Sequence, residues 1–165
     1  MLITLTGFMG SGKTTVGRLV ADALGCLFLD LDEEIVKKAG RSIPEIFAEG
    51  GESAFRTLEK ETLERLVKKY AGSTAVLALG GGTVTVPGSI GLLQEKTTCI
   101  YLKASEETIR KNLEGRTPGR PLADDQWPER LAAREPLYEK AAHVILDTDG
   151  WSFQEMADEI IISCI

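Results

Sequence analysis

The residues of this chain with the clearest chemical purpose are Gly7 to Thr14, which read GFMGSGKT. They fit the pattern G-x-x-x-x-G-K-[ST], a loop that binds the phosphates of a nucleotide. Glycines allow the backbone to curl so that several N–H groups face phosphate oxygens, and a following helix N-terminus adds partial positive charge. Lys13 can reach the β- and γ-phosphates, and the Thr14 hydroxyl is a hard oxygen ligand suited to Mg²⁺. This stretch therefore predicts a nucleotide site.

The sequence on either side of the loop supports this interpretation. Leu2 to Leu5 is short and apolar, as in a buried parallel strand. After the loop, apolar residues recur at helical spacing up to Gly25, which stands where a C-cap glycine is expected. A simple glycine turn between a strand and a helix is the alternative, but such a turn needs neither Lys13 nor Thr14.

Two acidic residues, Asp30 and Asp32, follow the second predicted strand, Leu27 to Leu29. In open α/β sheets, ligands bind beyond the carboxyl ends of the strands, so this pair is expected at the active edge. Alternation along a strand would turn both carboxylates to one side, one near a metal and one near an acceptor hydroxyl. The alternative is N-capping of the next helix by Asp32, which accounts for one aspartate and not for both.

A glycine triplet, Gly80 to Gly82, follows the third predicted strand, Thr74 to Leu79. Three glycines leave the backbone bare, so a ligand or a phosphate can approach it closely. A simple turn is the alternative, although one or two glycines would suffice for a turn.

Arginines on separate segments could supply positive charge to such a site. Arg56 lies in the first turns of a long predicted helix, with Glu52 and Glu59 as its helical neighbours. On composition alone, this trio is more typical of a surface ion-pair ladder. The Gly- and Pro-rich stretch Gly115 to Leu122 carries Arg116 and Arg120. Its composition fits either a lid that closes over phosphates or a solvated connector.

The cysteines and the histidine suggest no further chemistry. Cys26, Cys99 and Cys164 are far apart, and no pair has the spacing of metal ligands. We interpret Cys26 and Cys99 as small buried hydrophobes. His143 is the only histidine, and we expect it at the edge of the strand formed by Val144 to Leu146.

Strand and helix patterns alternate five times along the 165 residues, without a repeat or a linker. This order predicts a single α/β domain with a parallel sheet and helices on both faces. Net charge is −6 and no basic run is present, so we expect no nucleic-acid partner. No apolar run could span a bilayer, and the chain enters its first strand at once, leaving no room for a signal peptide. We therefore expect a cytoplasmic protein without a membrane partner.

Taken together, these motifs resemble those of the shikimate kinases, and the resemblance covers nearly the whole chain. Their joint order carries it: the Gly7–Thr14 loop, DLD at 30–32, GESAFRTLE at 51–59, GGG at 80–82, RPL at 120–122 and REPLY at 134–138. The resemblance implies a nucleoside-monophosphate-kinase-like P-loop fold of three layers, with strand order 2-3-1-4-5. It places substrate-binding helices at about 32–62 and a mobile lid at about 115–126.

The same resemblance implies a reaction: transfer of the ATP γ-phosphate to the 3-hydroxyl of shikimate, a step toward chorismate and the aromatic amino acids. Mg²⁺ is the implied cofactor, ATP and shikimate are the implied partners, and we expect a monomer. The residues that would take part in catalysis are Lys13, Asp32 and Arg120.

Binding roles also follow from the resemblance. The residues implied for ATP are Gly10, Ser11, Gly12, Lys13, Thr14, Thr15, Arg116, Arg120 and Trp151. Those implied for shikimate are Asp32, Arg56, Gly80, Gly81, Gly82 and Arg134, with the two arginines on its carboxylate. Thr14 would hold Mg²⁺ directly and Asp30 would hold it through water.

Two alternatives remain open at this point. One is another small-metabolite kinase of the same fold, such as a gluconate kinase, which should lack the pair Arg56 and Arg134. The other is a catalytically silent module, which loss of Lys13, Asp32 or Arg120 would favour. All three of those residues are present.

Overall fold

The structure, a computed structural model, describes residues 1–114 and 125–164. These residues contain a five-stranded parallel sheet, as the sequence pattern predicts, and its order β2-β3-β1-β4-β5 is the one that the resemblance implies. The strands are β1 (Leu2–Thr6), β2 (Leu27–Asp30), β3 (Ala75–Ala78), β4 (Thr98–Lys103) and β5 (Val144–Asp147). The helices are α1 (Lys13–Leu24), α2 (Leu31–Ala39), α3 (Ile43–Lys69), α4 (Ser89–Lys96), α5 (Glu106–Glu114), α6 (Trp127–Ala141) and α7 (Phe153–Cys164).

Two apolar clusters form on the two faces of the sheet, which gives the predicted three layers. Alternate residues of β1 serve opposite faces, so Leu2 joins one cluster while Ile3 and Leu5 join the other. The Leu2 side includes buried residues of α2, α3, α5 and α6, and the Ile3 side includes those of α1 and α7. Strands β1 and β3 are buried along their whole length because each has a neighbour on both sides.

The parallel pairing brings the candidate residues to one edge. Ala78 of β3 pairs with Leu5 of β1 on one side and with Asp30 of β2 on the other. The phosphate loop, the acidic pair and the glycine triplet therefore leave the sheet side by side. This edge is the one expected for a ligand in a parallel α/β sheet.

The acidic pair differs from the sequence-based prediction in its local structure. Strand β2 ends at Asp30 and α2 begins at Leu31, so strand alternation does not relate Asp30 to Asp32. The N-cap is Asp30 rather than Asp32, since its carboxylate accepts a hydrogen bond of 3.2 Å from the N–H of Glu33. Although Asp30 is the cap and Asp32 lies in the first turn of α2, both residues line the same small cavity.

Helix α3 is bent at Gly51. Gly51 has φ 70° and ψ −170°, a conformation that only glycine adopts readily and that no helix contains. The helix begins at the N-cap Ser42, whose hydroxyl accepts from the N–H of Glu45 at 3.3 Å. The bend redirects the part of α3 that carries Arg56 toward the carboxyl edge of the sheet.

Strand β5, residues 144–147, contains the predicted strand Val144 to Leu146 and follows α6, residues 127–141. The predicted lid, residues 115–126, falls mostly outside the described residues, and so do Arg116 and Arg120. Asp125 and Gln126 form a turn that leads into α6. None of the helices in the described part of the chain is long and apolar enough to cross a membrane.

The cysteines and the histidine occupy structural positions. All three cysteines are free thiols, and burial raises the pKa of Cys99 to about 11. His143 lies just before β5, and its Nδ1 accepts the N–H of Cys99 at 3.0 Å while its Nε2 lies 2.9 Å from the carbonyl of Gln94. The imidazole thus joins β4 to the end of α4.

Candidate active site

The phosphate loop connects β1 to α1 as its sequence predicts. The Lys13 ammonium lies over the loop and donates to the carbonyls of Gly7 at 2.7 Å and Phe8 at 3.0 Å. Gly12, the N-cap of α1, has φ 98°, and a Cβ there would lie 2.7 Å from a ring carbon of Phe153. The glycine is required both by its backbone conformation and by the close approach of that ring.

Two supports of this loop were not among the predicted site residues. The side-chain amide of Asn112 on α5 donates to the Gly10 carbonyl at 2.6 Å, and Phe153 at the start of α7 packs on Gly12. Trp151, which was predicted near the nucleotide, lies two residues before Phe153 and is 39% exposed. A sequence signal existed for Phe153, an apolar residue at the start of a helix, whereas nothing in the sequence marked Asn112.

A pair of hard oxygen donors lies beside the loop. The Thr14 hydroxyl donates to the Asp30 carboxylate at 3.2 Å, and both residues line a cavity of about 60 Å³ together with Lys13 and Asp32. Hydroxyl and carboxylate oxygens suit Mg²⁺. Residues 1–114 and 125–164 hold no cluster of three or more His, Cys, Asp or Glu that could bind a metal. A cation here would rely on phosphate oxygens and water for its other ligands, as Mg²⁺ commonly does.

A larger cavity of about 390 Å³ adjoins the first. Four residues line both cavities: Met9, Asp32, Gly80 and Gly81. The remaining residues of the larger cavity are Val36, Ser42, Ile43, Pro44, Phe47, Phe55, Arg56, Glu59, Gly82 and Arg134. This volume suits a small metabolite, and Asp32 lies where a ligand in one cavity would meet a ligand in the other.

Arg56 is held in this cavity by two glutamates of its own helix. Its Nη1 donates to Glu59 at 2.7 Å, and its Nη2 lies 3.3 Å from Glu52. The Glu59 side chain is 1% exposed and also accepts the Thr83 hydroxyl at 2.9 Å, whereas Glu52 is 61% exposed. The buried Glu59 therefore holds Arg56 in place. Of the two ion pairs, only the one with Glu52 is the exposed pair that the surface-ladder interpretation describes.

The glycine triplet makes room for these side chains. A Cβ on Gly82 would overlap the guanidinium of Arg56, and one on Gly80 would lie 3.0 Å from Glu59. Any side chain at position 82 would displace the guanidinium. Packing therefore requires glycine at positions 80 and 82, which a simple turn does not explain.

Arg134 faces the same cavity from α6. It is 8% exposed, and its Nη1 is buried without a hydrogen-bond partner among the described residues. Burial lowers its pKa, the nearby Tyr138 opposes that shift, and the positive charge of Arg56 adds to it. Two guanidinium groups that face one cavity form a strong site for an anion, and a planar carboxylate matches their donor geometry.

The structure brings most of the predicted site residues together. Around the two adjoining cavities lie residues from both predicted groups: Gly10, Gly12, Lys13, Thr14, Asp30, Asp32, Arg56, Gly80, Gly81, Gly82 and Arg134. The rest of the lining was not predicted to bind ligand: Met9, Val36, Ser42, Ile43, Pro44, Phe47, Phe55, Glu59 and Leu79. Glu59 had a sequence signal, its position three residues after Arg56.

Comparisons with known proteins agree with this geometry. A family model described as shikimate kinase matches residues 9–164. A shikimate kinase of Thermus thermophilus is 44% identical, over 96% of this chain and 87% of its own. The structure of an Acinetobacter baumannii shikimate kinase in complex with shikimate has a TM-score of 0.87 and 36% identity, covering 97% of this chain and 90% of its own. A Bacteroides thetaiotaomicron shikimate kinase has a TM-score of 0.88 and 26% identity, covering 99% and 97%.

The two glutamates beside Arg56 provide a test of how this arginine is held. We expect Glu59→Ala to lower the free energy of unfolding by about 3 kcal/mol, because it leaves a largely buried guanidinium without its close partner. Glu52→Ala is the matched control and should cost less than about 1 kcal/mol, since its carboxylate is mostly solvated. Urea denaturation of the three proteins measures both values. Equal losses for the two variants would contradict the assignment of Glu59 as the main support.

Proposed function

Since the chain belongs to the shikimate kinase family, we infer that it phosphorylates shikimate with ATP as the donor, at the 3-hydroxyl. Membership rests on the family model, which matches nearly the whole chain, and on a relative with 44% identity. The alternatives raised by the sequence, a gluconate kinase or a silent module, find no support in these comparisons. We propose the roles of individual residues from the geometry of the two cavities.

One observation carries the acceptor assignment: the buried, unpartnered Nη1 of Arg134 in a cavity that Arg56 also lines. Leaving a buried donor nitrogen of a cation without a hydrogen-bond partner is costly, and an anionic ligand that accepts from it is bound strongly. Shikimate offers one carboxylate at one end and hydroxyl groups at the other. We propose that Arg56 and Arg134 hold that carboxylate, with the backbone of Gly80 to Gly82 along the ligand.

We propose that Asp32 acts on the acceptor hydroxyl. Its position at the junction of the two cavities supports this role, because the hydroxyl must meet the γ-phosphate there. A carboxylate in hydrogen-bond reach of a hydroxyl can align it and can accept its proton. Phosphoryl transfer asks mainly for position and for neutralised charge, so alignment alone already contributes to the rate.

The donor half of the site is the loop Gly7–Thr14. We propose that Lys13 exchanges its contacts with the Gly7 and Phe8 carbonyls for phosphate oxygens when ATP binds. Thr14, with Asp30 through water, would hold Mg²⁺, which supplies charge neutralisation between the β- and γ-phosphates when bound. The 3.2 Å contact between Thr14 and Asp30 supports this pairing.

Of three further residues predicted to bind ATP, Arg116 and Arg120 fall outside the described residues and Trp151 falls within them. Arg120 on the phosphates and Arg116 near the adenine both fall in the predicted lid and remain predictions. Trp151 near the adenine is supported by its place next to Phe153, which packs on the phosphate loop. We further propose a single-domain cytoplasmic monomer without a nucleic-acid partner. Its three free thiols and its use of ATP fit that setting.

The decisive assay follows ADP release with MgATP and one acceptor at a time: shikimate, quinate, gluconate or a nucleoside monophosphate. We expect turnover with shikimate and much less with the others, because only a carboxylate at the right distance from the reacting hydroxyl fits both arginines. Activity with another acceptor and none with shikimate would refute the proposed function.

The role of Asp32 is tested by Asp32→Asn. We expect kcat to fall by about 10² to 10⁴ while the Kd for MgATP stays within about twofold, because the amide of asparagine cannot take up the hydroxyl proton and no residue of the phosphate loop is changed. Glu33→Gln, an exposed neighbour on the same turn, is the control and should leave kcat unchanged. A near-normal kcat for Asp32→Asn would remove this residue from the chemistry.

The role of Arg134 is tested by Arg134→Lys. We expect the shikimate KM to rise about tenfold or more with the ATP KM unchanged, because an ammonium keeps the charge but cannot form two parallel hydrogen bonds to a carboxylate. Arg18→Lys changes an exposed arginine of α1 that lines neither cavity and serves as the control. An effect confined to the ATP KM would place Arg134 on the nucleotide side.

A further inference from the structure

The hydroxyl of Tyr138 is not among the groups that we propose to contact ATP or shikimate. Tyr138 lies four residues after Arg134 on α6, so both side chains project from the same face of the helix. The residue is fully buried, and its hydroxyl donates to the carbonyl of Gly81 at 2.5 Å. Tyr138 therefore binds the backbone of the glycine triplet from a helix that packs on the sheet.

The ring of Tyr138 is held so that its hydroxyl has one position. It packs against Tyr101 of β4, with the ring centroids 5.1 Å apart and the planes tilted by 36°. Both tyrosines are buried in the same apolar cluster. Burial raises the pKa of Tyr138 well above its ordinary value, although Arg134 opposes the shift. The phenol therefore keeps its proton and acts as a donor at any physiological pH.

The carbonyl that this hydroxyl holds belongs to a peptide group next to the acceptor cavity. In a planar trans peptide, the carbonyl of Gly81 and the N–H of Gly82 point in opposite directions, so fixing one fixes the other. Glycines restrict their backbone angles least, so this peptide needs an external anchor. Both Gly81 and Gly82 line the acceptor cavity.

The same peptide lies beside Arg134. A Cβ on Gly81 would lie 3.8 Å from Nη1 of Arg134, the buried nitrogen without a partner among residues 1–114 and 125–164. Tyr138 and Arg134 are also close enough for each to oppose the effect of burial on the other's pKa. One phenol thus adjoins both the backbone and the cation that face the ligand.

We propose that Tyr138 is a positioning residue for the acceptor: its hydroxyl orients the Gly81–Gly82 peptide and Arg134, so that the cavity is preformed for the shikimate carboxylate. This inference rests on the proposed function for its ligand but on the structure alone for the hydrogen bond. A preformed site binds more tightly because less ordering is required when the ligand arrives.

Tyr138→Phe removes only the hydroxyl oxygen and keeps the ring in its packing. We expect the shikimate KM to rise about tenfold, which is the scale of one lost buried hydrogen bond, with the ATP KM within about twofold of the parent. The matched control is Tyr101→Phe, the same deletion on the other ring of the pair. It should leave the shikimate KM within about twofold, because the structure places the Tyr138 hydroxyl, and not that of Tyr101, on Gly81.

A purely structural role would change both substrates together or only the melting temperature, so the selective change in shikimate KM is the discriminating result. An unchanged shikimate KM in Tyr138→Phe, or equal changes in both variants, would overturn the proposal while leaving the wild-type activity in place. The absence of shikimate turnover in the wild type would instead overturn the proposed function.

A second measurement does not depend on shikimate or on activity. We expect the amide ¹H–¹⁵N resonance of Gly82 to shift in Tyr138→Phe and not in Tyr101→Phe, because loss of the hydrogen bond to the Gly81 carbonyl changes the polarisation and orientation of that peptide. A Gly82 resonance that is the same in the parent and in Tyr138→Phe would show that the hydroxyl does not control the peptide.

Discussion

The site depends on two positive charges, those of Arg56 and Arg134, which line the larger of the two cavities. Arg56 and Arg134 repel each other, and burial makes their charges still less favourable. The chain offsets part of this cost on one side only, since Glu59 pairs closely with Arg56. The buried Nη1 of Arg134 has no hydrogen-bond partner within the described residues. An unpaired buried donor of this kind favours a ligand that can accept its hydrogen bond, which is the basis of our proposal that the site binds a carboxylate.

The parallel sheet makes this arrangement possible. Because β2, β3 and β1 are neighbours and run the same way, the loops after them emerge together, although about fifty residues separate Asp32 from Gly81. The phosphate loop supplies the donor side and the glycine triplet supplies a bare surface between donor and acceptor. Helices α3 and α6 then each bring one arginine over that surface. The chemistry is divided among segments that only this topology brings into contact.

The motifs predicted the fold and the members of the site, but contact geometry was beyond them. Periodicity and glycine positions predicted alternating strands and helices in one parallel sheet, and the resemblance to shikimate kinases supplied the strand order. Asp30 and Asp32 both lie at the predicted edge of the sheet, but strand alternation was the wrong reason to expect them there. The sequence DLD is compatible both with the end of a strand and with the start of a helix. Asn112 was not predicted because its single hydrogen bond to Gly10 joins residues 102 positions apart, and no local pattern records such a contact.

The glycine triplet shows why such long-range contacts decide the site. Each glycine lies against a different neighbour: Gly80 against Glu59, Gly81 against Arg134 and Met9, and Gly82 against Arg56. A backbone this unrestricted would be poorly ordered on its own, and the three residues would lose the close approach that makes them useful. The Tyr138 hydroxyl holds the Gly81 carbonyl, and the hydrogen bond from Thr83 to Glu59 holds the residue that directly follows the triplet. The bare backbone therefore becomes a defined surface only because side chains distant in sequence hold it, which is why the acceptor half of the site cannot be read from the triplet alone.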